Sequence, residues 1–216
     1  AKVLIGKREG LRLGDDYLER IFVRNENDSQ AWLVQGILPI STDLKDWVEQ
    51  PLLGVIDAEQ LKQVSVTKPN GEKVIINKDN IEQEDFVLVS NNDKPGMALD
   101  IDAVNTVPFE VAELEFEDML FAQDKVVNWD NSLRAELVTF SGIKVGLDVV
   151  QIDGDYYGKV QAMLDDGSND DLQQTITSYN NSRRNWYYKL SPEAYKILTV
   201  SNNDFYNIKV QTKSPA

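Results

Sequence analysis

Residues 63–77, QVSVTKPNGEKVIIN, constrain the fold more tightly than any other stretch of the chain. Val64 and Val66 alternate with polar residues, Pro69-Asn70-Gly71 supplies a turn, and Val74 to Ile76 bring the chain back. Strand side chains point alternately to opposite faces, so this pattern around an Asn-Gly turn predicts an antiparallel hairpin. DFVLVS, at 85–90, can extend that sheet.

The same logic applies along the chain. VLIG, RIFVR and AWLVQG, separated by polar turns rich in Gly and Asn, predict an N-terminal meander. LRAELVTF, IKVGLDVVQI and YYGKVQAML predict a second, turning at Ser141-Gly142 and Asp153-Gly154. AELEFED, at 112–118, reads as a strand with Ala112, Leu114 and Phe116 on one face and Glu113, Glu115 and Glu117 on the other.

Helical spacing is rarer. STDLKDWVEQPLL offers Ser41 or Thr42 as a cap, carries Leu44, Trp47 and Val48 on one face, and should stop at Pro51. ALDIDAVNTV sets Leu99, Ile101, Val104 and Val107 in a short helix that Pro108 is expected to end. SNDDLQQTITSYNNSRR gives the firmest helix: Ser168 and Asp171 resemble a capping box, and Leu172, Ile176 and Tyr179 form a stripe. Acids at its start and Arg183-Arg184 at its end suit the helix dipole.

NWYYKLSPEAYKIL, at 185–198, gathers one Trp and three Tyr. As a strand it puts Trp186, Tyr188 and Leu190 on one face, facing in, and Tyr187 and Lys189 on the other. Ser191 then caps a helix with Pro192 at its first position, and Leu190 and Tyr195 occupy staple positions. Core packing is the first expectation for these rings. Tyr187, Trp186 and Tyr188 are also the candidate ligand or partner surface.

The expected class is therefore α+β: antiparallel meanders with a few short helices packed on the sheet. AWLVQGILPISTDLKDWV and NWYYKLSPEAYKIL echo each other as strand, cap and helix, which suggests repeated meander-plus-helix units. Two regions are expected, 1–125 and 126–216, packed as one body with a radius of gyration on the order of 17 Å.

Composition narrows the chemistry. The 216 residues contain no His and no Cys. That removes Ser-His-Asp and Cys-His nucleophilic sites, thiolate redox chemistry and nearly every zinc or copper site. A net charge of −14 disfavours nucleic acid and anionic lipid as partners. DDGSNDD (165–171) and DGDYYG (153–158) are acidic enough to suggest Ca²⁺, but neither has the ligand spacing of an EF-hand. Loop and cap roles are expected for both, with no metal and no cofactor. No GxGxxG, GK[ST] or GxSxG pattern occurs.

A longer resemblance runs through residues 3–198. A strand ending in WLVQG, then DLKDW, LL, an acidic and apolar lead into VSV, and an Asn-Gly hairpin resemble the bacterial domain-of-unknown-function family 4340 (DUF4340). VLIGK, IFVR and NNSRRNWYYKLSPEAYKIL fit the same pattern. The resemblance implies an N-terminal membrane-spanning segment ahead of this region, and kinship with auxiliary proteins of ABC-type transport or gliding motility. It implies no catalytic residue.

No apolar run here reaches the roughly 18 to 20 residues of a membrane span, and the chain opens in strand-like sequence without an initiator Met or signal peptide. The expectation is a piece of a longer, membrane-anchored bacterial protein, periplasmic or otherwise on the extracytoplasmic face of the inner membrane. It would be non-enzymatic, with a protein-interaction or sensing role and a partner in or near the envelope. The alternatives are a small-ligand or glycan-binding module and a carboxylate-dependent hydrolase with two facing acids near exposed aromatics.

Overall fold

A computed structural model describes residues 2–13, 16–36, 43–89, 94–165 and 170–208. The chain divides into two compact units, Ala1–Thr42 and Asp43–Ala216.

The first unit is a three-stranded antiparallel meander of β1 (Val3–Leu13), β2 (Asp16–Asn25) and β3 (Trp32–Gln35). Its register sets Ile5 opposite Val23 and Val23 opposite Trp32, while Ile21 faces Val34. Val3, Ile5, Ile21, Val23, Trp32 and Val34 therefore share one face.

The second unit is built on an eight-stranded antiparallel sheet. Its strands are β4 (Leu61–Thr67), β5 (Lys73–Asn77), β6 (Val87–Leu88), β8 (Asp118–Phe121), β9 (Leu133–Thr139), β10 (Ile143–Ile152), β11 (Asp155–Leu164) and β12 (Trp186–Leu190). They lie in the order β6-β5-β4-β9-β10-β11-β12-β8. A separate ribbon pairs β7 (Met97–Leu99) with β13 (Tyr206–Ile208). The expected boundary at 125/126 falls inside this sheet, because β4 pairs with β9 and β8 with β12 across it.

The predicted hairpin is β4-β5, with Val64 opposite Ile76 and Val66 opposite Val74. At the tip of β10-β11, Asp153 and Gly154 both take positive φ, +53° and +99°, as a two-residue hairpin turn requires. Alternate residues of the sheet build the core: Val64, Val66, Leu137, Val145, Leu147 and Tyr188 are all buried.

Helix α1 (Ile101–Ala112) packs against β4 and carries the chain from one edge of the sheet to the other. Asp100 caps it, its carboxylate accepting from the Ala103 amide at 3.0 Å. The predicted stop at Pro108 does not occur: the helix runs on to Ala112, and Leu99 lies in β7 instead. Pro108 removes one helical donor and crowds a carbonyl. Burial of Val104, Val107, Pro108, Val111 and Ala112 keeps the helix in register through it.

AELEFED also departs from expectation. Only Asp118–Phe121 joins a ladder, and Ala112 ends α1. The alternation survives, since Leu114 and Phe116 are buried while Glu113, Glu115 and Glu117 are exposed. The Leu114 carbonyl is taken by the amide of Leu52 at 2.8 Å, a loop contact in place of a strand partner.

The helix expected in STDLKDWVEQPLL is a single 3₁₀ turn, Leu44–Trp47. Asp43 precedes it without a capping side-chain bond, and extended backbone at Val48 ends it before Pro51 is reached. Ser41 and Thr42 lie outside the described residues, as does Ser168. Helix α2 (Asp170–Arg183) ends just before β12, and α3 (Pro192–Ile197) follows that strand. The Ser191 hydroxyl caps α3 by accepting from the Ala194 amide at 3.0 Å. No helix among the described residues is long and apolar enough to cross a membrane.

Candidate functional site

Three features stand out, one in the first unit and two in the second. The first is the apolar face of the β1-β2-β3 sheet. Trp32 is 60% exposed and Val3 55%, and Ile5 and Val34 are exposed beside them. Adjacent Leu4 and Leu33, on the opposite face, are exposed too.

The second is a groove of about 1090 Å³ among the 48–55 segment, α2, β8 and the start of β12. Buried Leu52 and Leu53 anchor the 48–55 segment. The Tyr179 hydroxyl donates to the Leu52 carbonyl at 2.9 Å, and the Gln50 amide donates to the Phe116 carbonyl at 3.1 Å. Helix α2 is fixed by Asn180, whose side chain accepts from the Ala162 amide and donates to the Ala162 carbonyl, each at 2.8 Å. Val48, Pro51, Val55, Met119 and Trp186 give the groove an apolar side, and Gln174, Thr175, Ser178 and Ser182 a polar one.

Arg183 stands in the wall of this groove and is 6% exposed. Its guanidinium lies 4.1 Å from the centre of the Tyr179 ring. One terminal nitrogen donates to the Ser182 hydroxyl at 3.0 Å and the other to the Glu49 carbonyl at a long 3.4 Å. Its Nε has no hydrogen-bond partner, and no carboxylate among the described residues forms an ion pair with it. Sequence reasoning assigned Arg183 to the helix dipole. Its spacing from Ile176 and Tyr179, seven and four residues back, is the signal that places it on the buried stripe.

The third is a hollow of about 780 Å³ lined by Trp129, Arg134, Glu136, Asp148, Lys159 and Tyr187 among others. Arg134 grips Asp148 through two nitrogens, at 2.6 and 3.2 Å, and Lys159 approaches it at 3.6 Å. That hydrogen bonding raises the Arg134 pKa above its usual value. Lys159 also sits 4.5 Å from the Trp129 ring centre. Glu136 and Asp148 share the hollow with Trp129, Trp186 and Tyr187, and Asp148 is held between Arg134 and Lys159.

The aromatic strand divides as follows. Tyr188 is fully buried with its ring edge-on to Phe116 at 4.9 Å, so its position is in the core. Trp186 is half-buried, packed on Phe121 at 5.1 Å, and lines both hollows. Tyr187, also half-buried, meets the edge of Trp129 at 5.1 Å. Trp186→Ala is expected to cost about 2 to 3 kcal/mol and Tyr187→Ala about 1, scaled down for half-burial from the cost of a fully packed ring. Chemical denaturation of the two variants measures both.

Burial pushes the Tyr188 phenol up to about 12 and raises that of Tyr179 as well, with the charge of Arg183 acting against both shifts. Their neutral forms are favoured in the folded state, so the unfolded chain binds fewer protons once the pH passes the ordinary tyrosine value of 10. Stability should hold below pH 10 and fall between 10 and about 12. Melting temperatures across that range test it, and Tyr188→Phe should flatten the decline.

The acidic stretches are engaged elsewhere. Asp153 pairs with Lys125, and Asp155 with Lys189 at 3.0 Å. Residues 166–169 of DDGSNDD lie outside the described residues. Among the described residues no group of three or more acids could hold a metal ion.

Residues 1–131 match the family described as Domain of unknown function (DUF4340). The chain belongs to that family. No curated protein and no solved structure matches it. The DUF4340 match takes in the first unit and, in the second, β4 to β8. The groove thus joins matched residues, Val48 to Val55 and Met119, to Asp171–Trp186 beyond the match.

Proposed function

We propose that this DUF4340 chain is a non-enzymatic binding domain on the extracytoplasmic face of the inner membrane, part of a membrane-anchored protein that engages a partner protein of an ABC-type transport system. The observation behind the binding role is the apolar face of the first unit. Val3, Ile5, Trp32 and Val34 are exposed on it, around a buried Ile21, and exposed apolar side chains gathered on one sheet face mark an interaction surface. The envelope location and the transport link rest on the family resemblance drawn from the sequence motifs.

The test uses the full-length protein in its native host. A photo-crosslinking residue in place of Trp32 should capture one envelope protein, and Ile5→Asp with Val34→Asp should abolish the product without moving the melting curve. Protease added to spheroplasts should degrade the domain. Absence of a discrete cross-link overturns the partner role, and resistance to protease overturns the location.

A second reading, the small-ligand or glycan-binding module, is favoured by the groove beside α2 and its unpaired guanidinium.

A further inference from the structure

A buried guanidinium without an acid partner is costly, because its desolvation is offset only when opposite charge and hydrogen-bond acceptors surround it. Arg183 has three partial compensations: the Tyr179 ring, the Ser182 hydroxyl and the Glu49 carbonyl. It also sits in the last turn of α2, where the helix dipole favours a cation. These leave the Nε hydrogen unmet and the 3.4 Å bond weak. Nε itself is closed off from solvent, and the guanidinium stands between the groove and the hollow beside Trp129, which it also lines; its planar fork matches a carboxylate.

We propose that the groove binds a small monocarboxylic acid, its carboxylate held by Arg183 and its apolar body laid along Val55, Met119 and Trp186. Charge decides the class. Glu49 and Asp171 line the same groove, and the chain carries −14 overall, so a dianion such as phosphate is repelled where a single carboxylate is tolerated. The polar wall of Thr175 and Ser178 leaves room for a hydroxyl or amide on the ligand without requiring one. All of these residues belong to the second unit, and the inference goes beyond the partner surface proposed for the first.

The experiment is calorimetry on the intact chain with octanoate and 4-phenylbutyrate, against octanamide and inorganic phosphate. Both acids should bind with one-to-one stoichiometry. Octanamide, which keeps the shape and loses the charge, should bind about tenfold more weakly or worse. Arg183→Met should abolish acid binding. Thr175→Trp fills the groove from an exposed position on α2 while leaving Arg183 and its partners in place, so it should abolish binding with an unchanged melting temperature.

Failure of both acids to bind at about 10 mM overturns the proposal, as does equal binding by wild type and Thr175→Trp. Phosphate binding more tightly than either acid overturns the carboxylate assignment. None of these outcomes touches the cross-link at Trp32, so the two readings fail separately.

Discussion

Tyr188→Ala is expected to lower stability by about 3 to 5 kcal/mol, while Tyr188→Phe is expected to be neutral or stabilising. Tyr188 is fully buried at the point where β12 is paired on both sides, opposite Gly158 on β11 and Met119 on β8. The ring meets Phe116 edge-on at 4.9 Å, the geometry that aromatic quadrupoles favour. Truncation to Ala removes that contact and opens a cavity on the core face of a sheet whose backbone hydrogen bonds hold β12 in place, so the site cannot readily collapse. The hydroxyl is another matter. It is buried and has no hydrogen-bond partner, so in the folded state it bears a desolvation cost with nothing to offset it. Denaturant titration of both variants separates ring from hydroxyl. A loss above about 1 kcal/mol in Tyr188→Phe would show that the hydroxyl has a partner after all.

Much of the sheet was legible because its signals are local. Period-two alternation and Asn-Gly or Asp-Gly turns sit within about fifteen residues of each other, and β4-β5 and β10-β11 pair as that pattern requires. The Ser191-Pro192 start of α3 was legible for the same reason. Strand order was not. Nothing near residue 118 announces that β8 will close the far edge beside β12, some seventy residues on. Pro108 shows the opposite failure, a strong local signal overridden by burial of the α1 face against the core.

The candidate sites follow the same division. An apolar run such as VLI or WLV reads alike whether its faces are covered or open, so exposure of the first unit could not be read from the sequence. Arg183 reads in the sequence as a cation suited to the helix dipole; its spacing could have placed it on the Ile176-Tyr179 stripe, but its lack of an acid partner depends on which side chains around Glu49, 134 residues earlier, are folded against it.

Asn180→Ala is expected to cost about 2 to 4 kcal/mol, more than its size suggests. β11 pairs with β12 only through Tyr156, Tyr157 and Gly158, so beyond that point β11 has no strand on this side. Asn180 stands in for the missing strand: its side-chain oxygen takes the Ala162 amide and its nitrogen meets the Ala162 carbonyl. A side-chain amide can do this because it carries one acceptor and two donors in the same plane as a peptide. Ala162 is buried, so removing the amide leaves one backbone donor and one acceptor unmet, each worth about 1 to 3 kcal/mol unless water reaches it. Asn180→Asp should be nearly as damaging. It keeps an acceptor for the Ala162 amide and sets a second oxygen against the Ala162 carbonyl, a repulsion without a compensating bond. Thermal denaturation ranks the variants, and hydrogen exchange locates the effect: the Ala162 amide should lose its protection in both, while amides of the β9-β10 ladder keep theirs until global unfolding. Because Asn180 also ties α2 to the sheet three residues before Arg183, Asn180→Ala should loosen the groove wall. Should Ala162 stay protected in Asn180→Ala, the edge is closed by something other than this side chain, and α2 is held to β11 by the packing of Ile176 and Tyr179 alone.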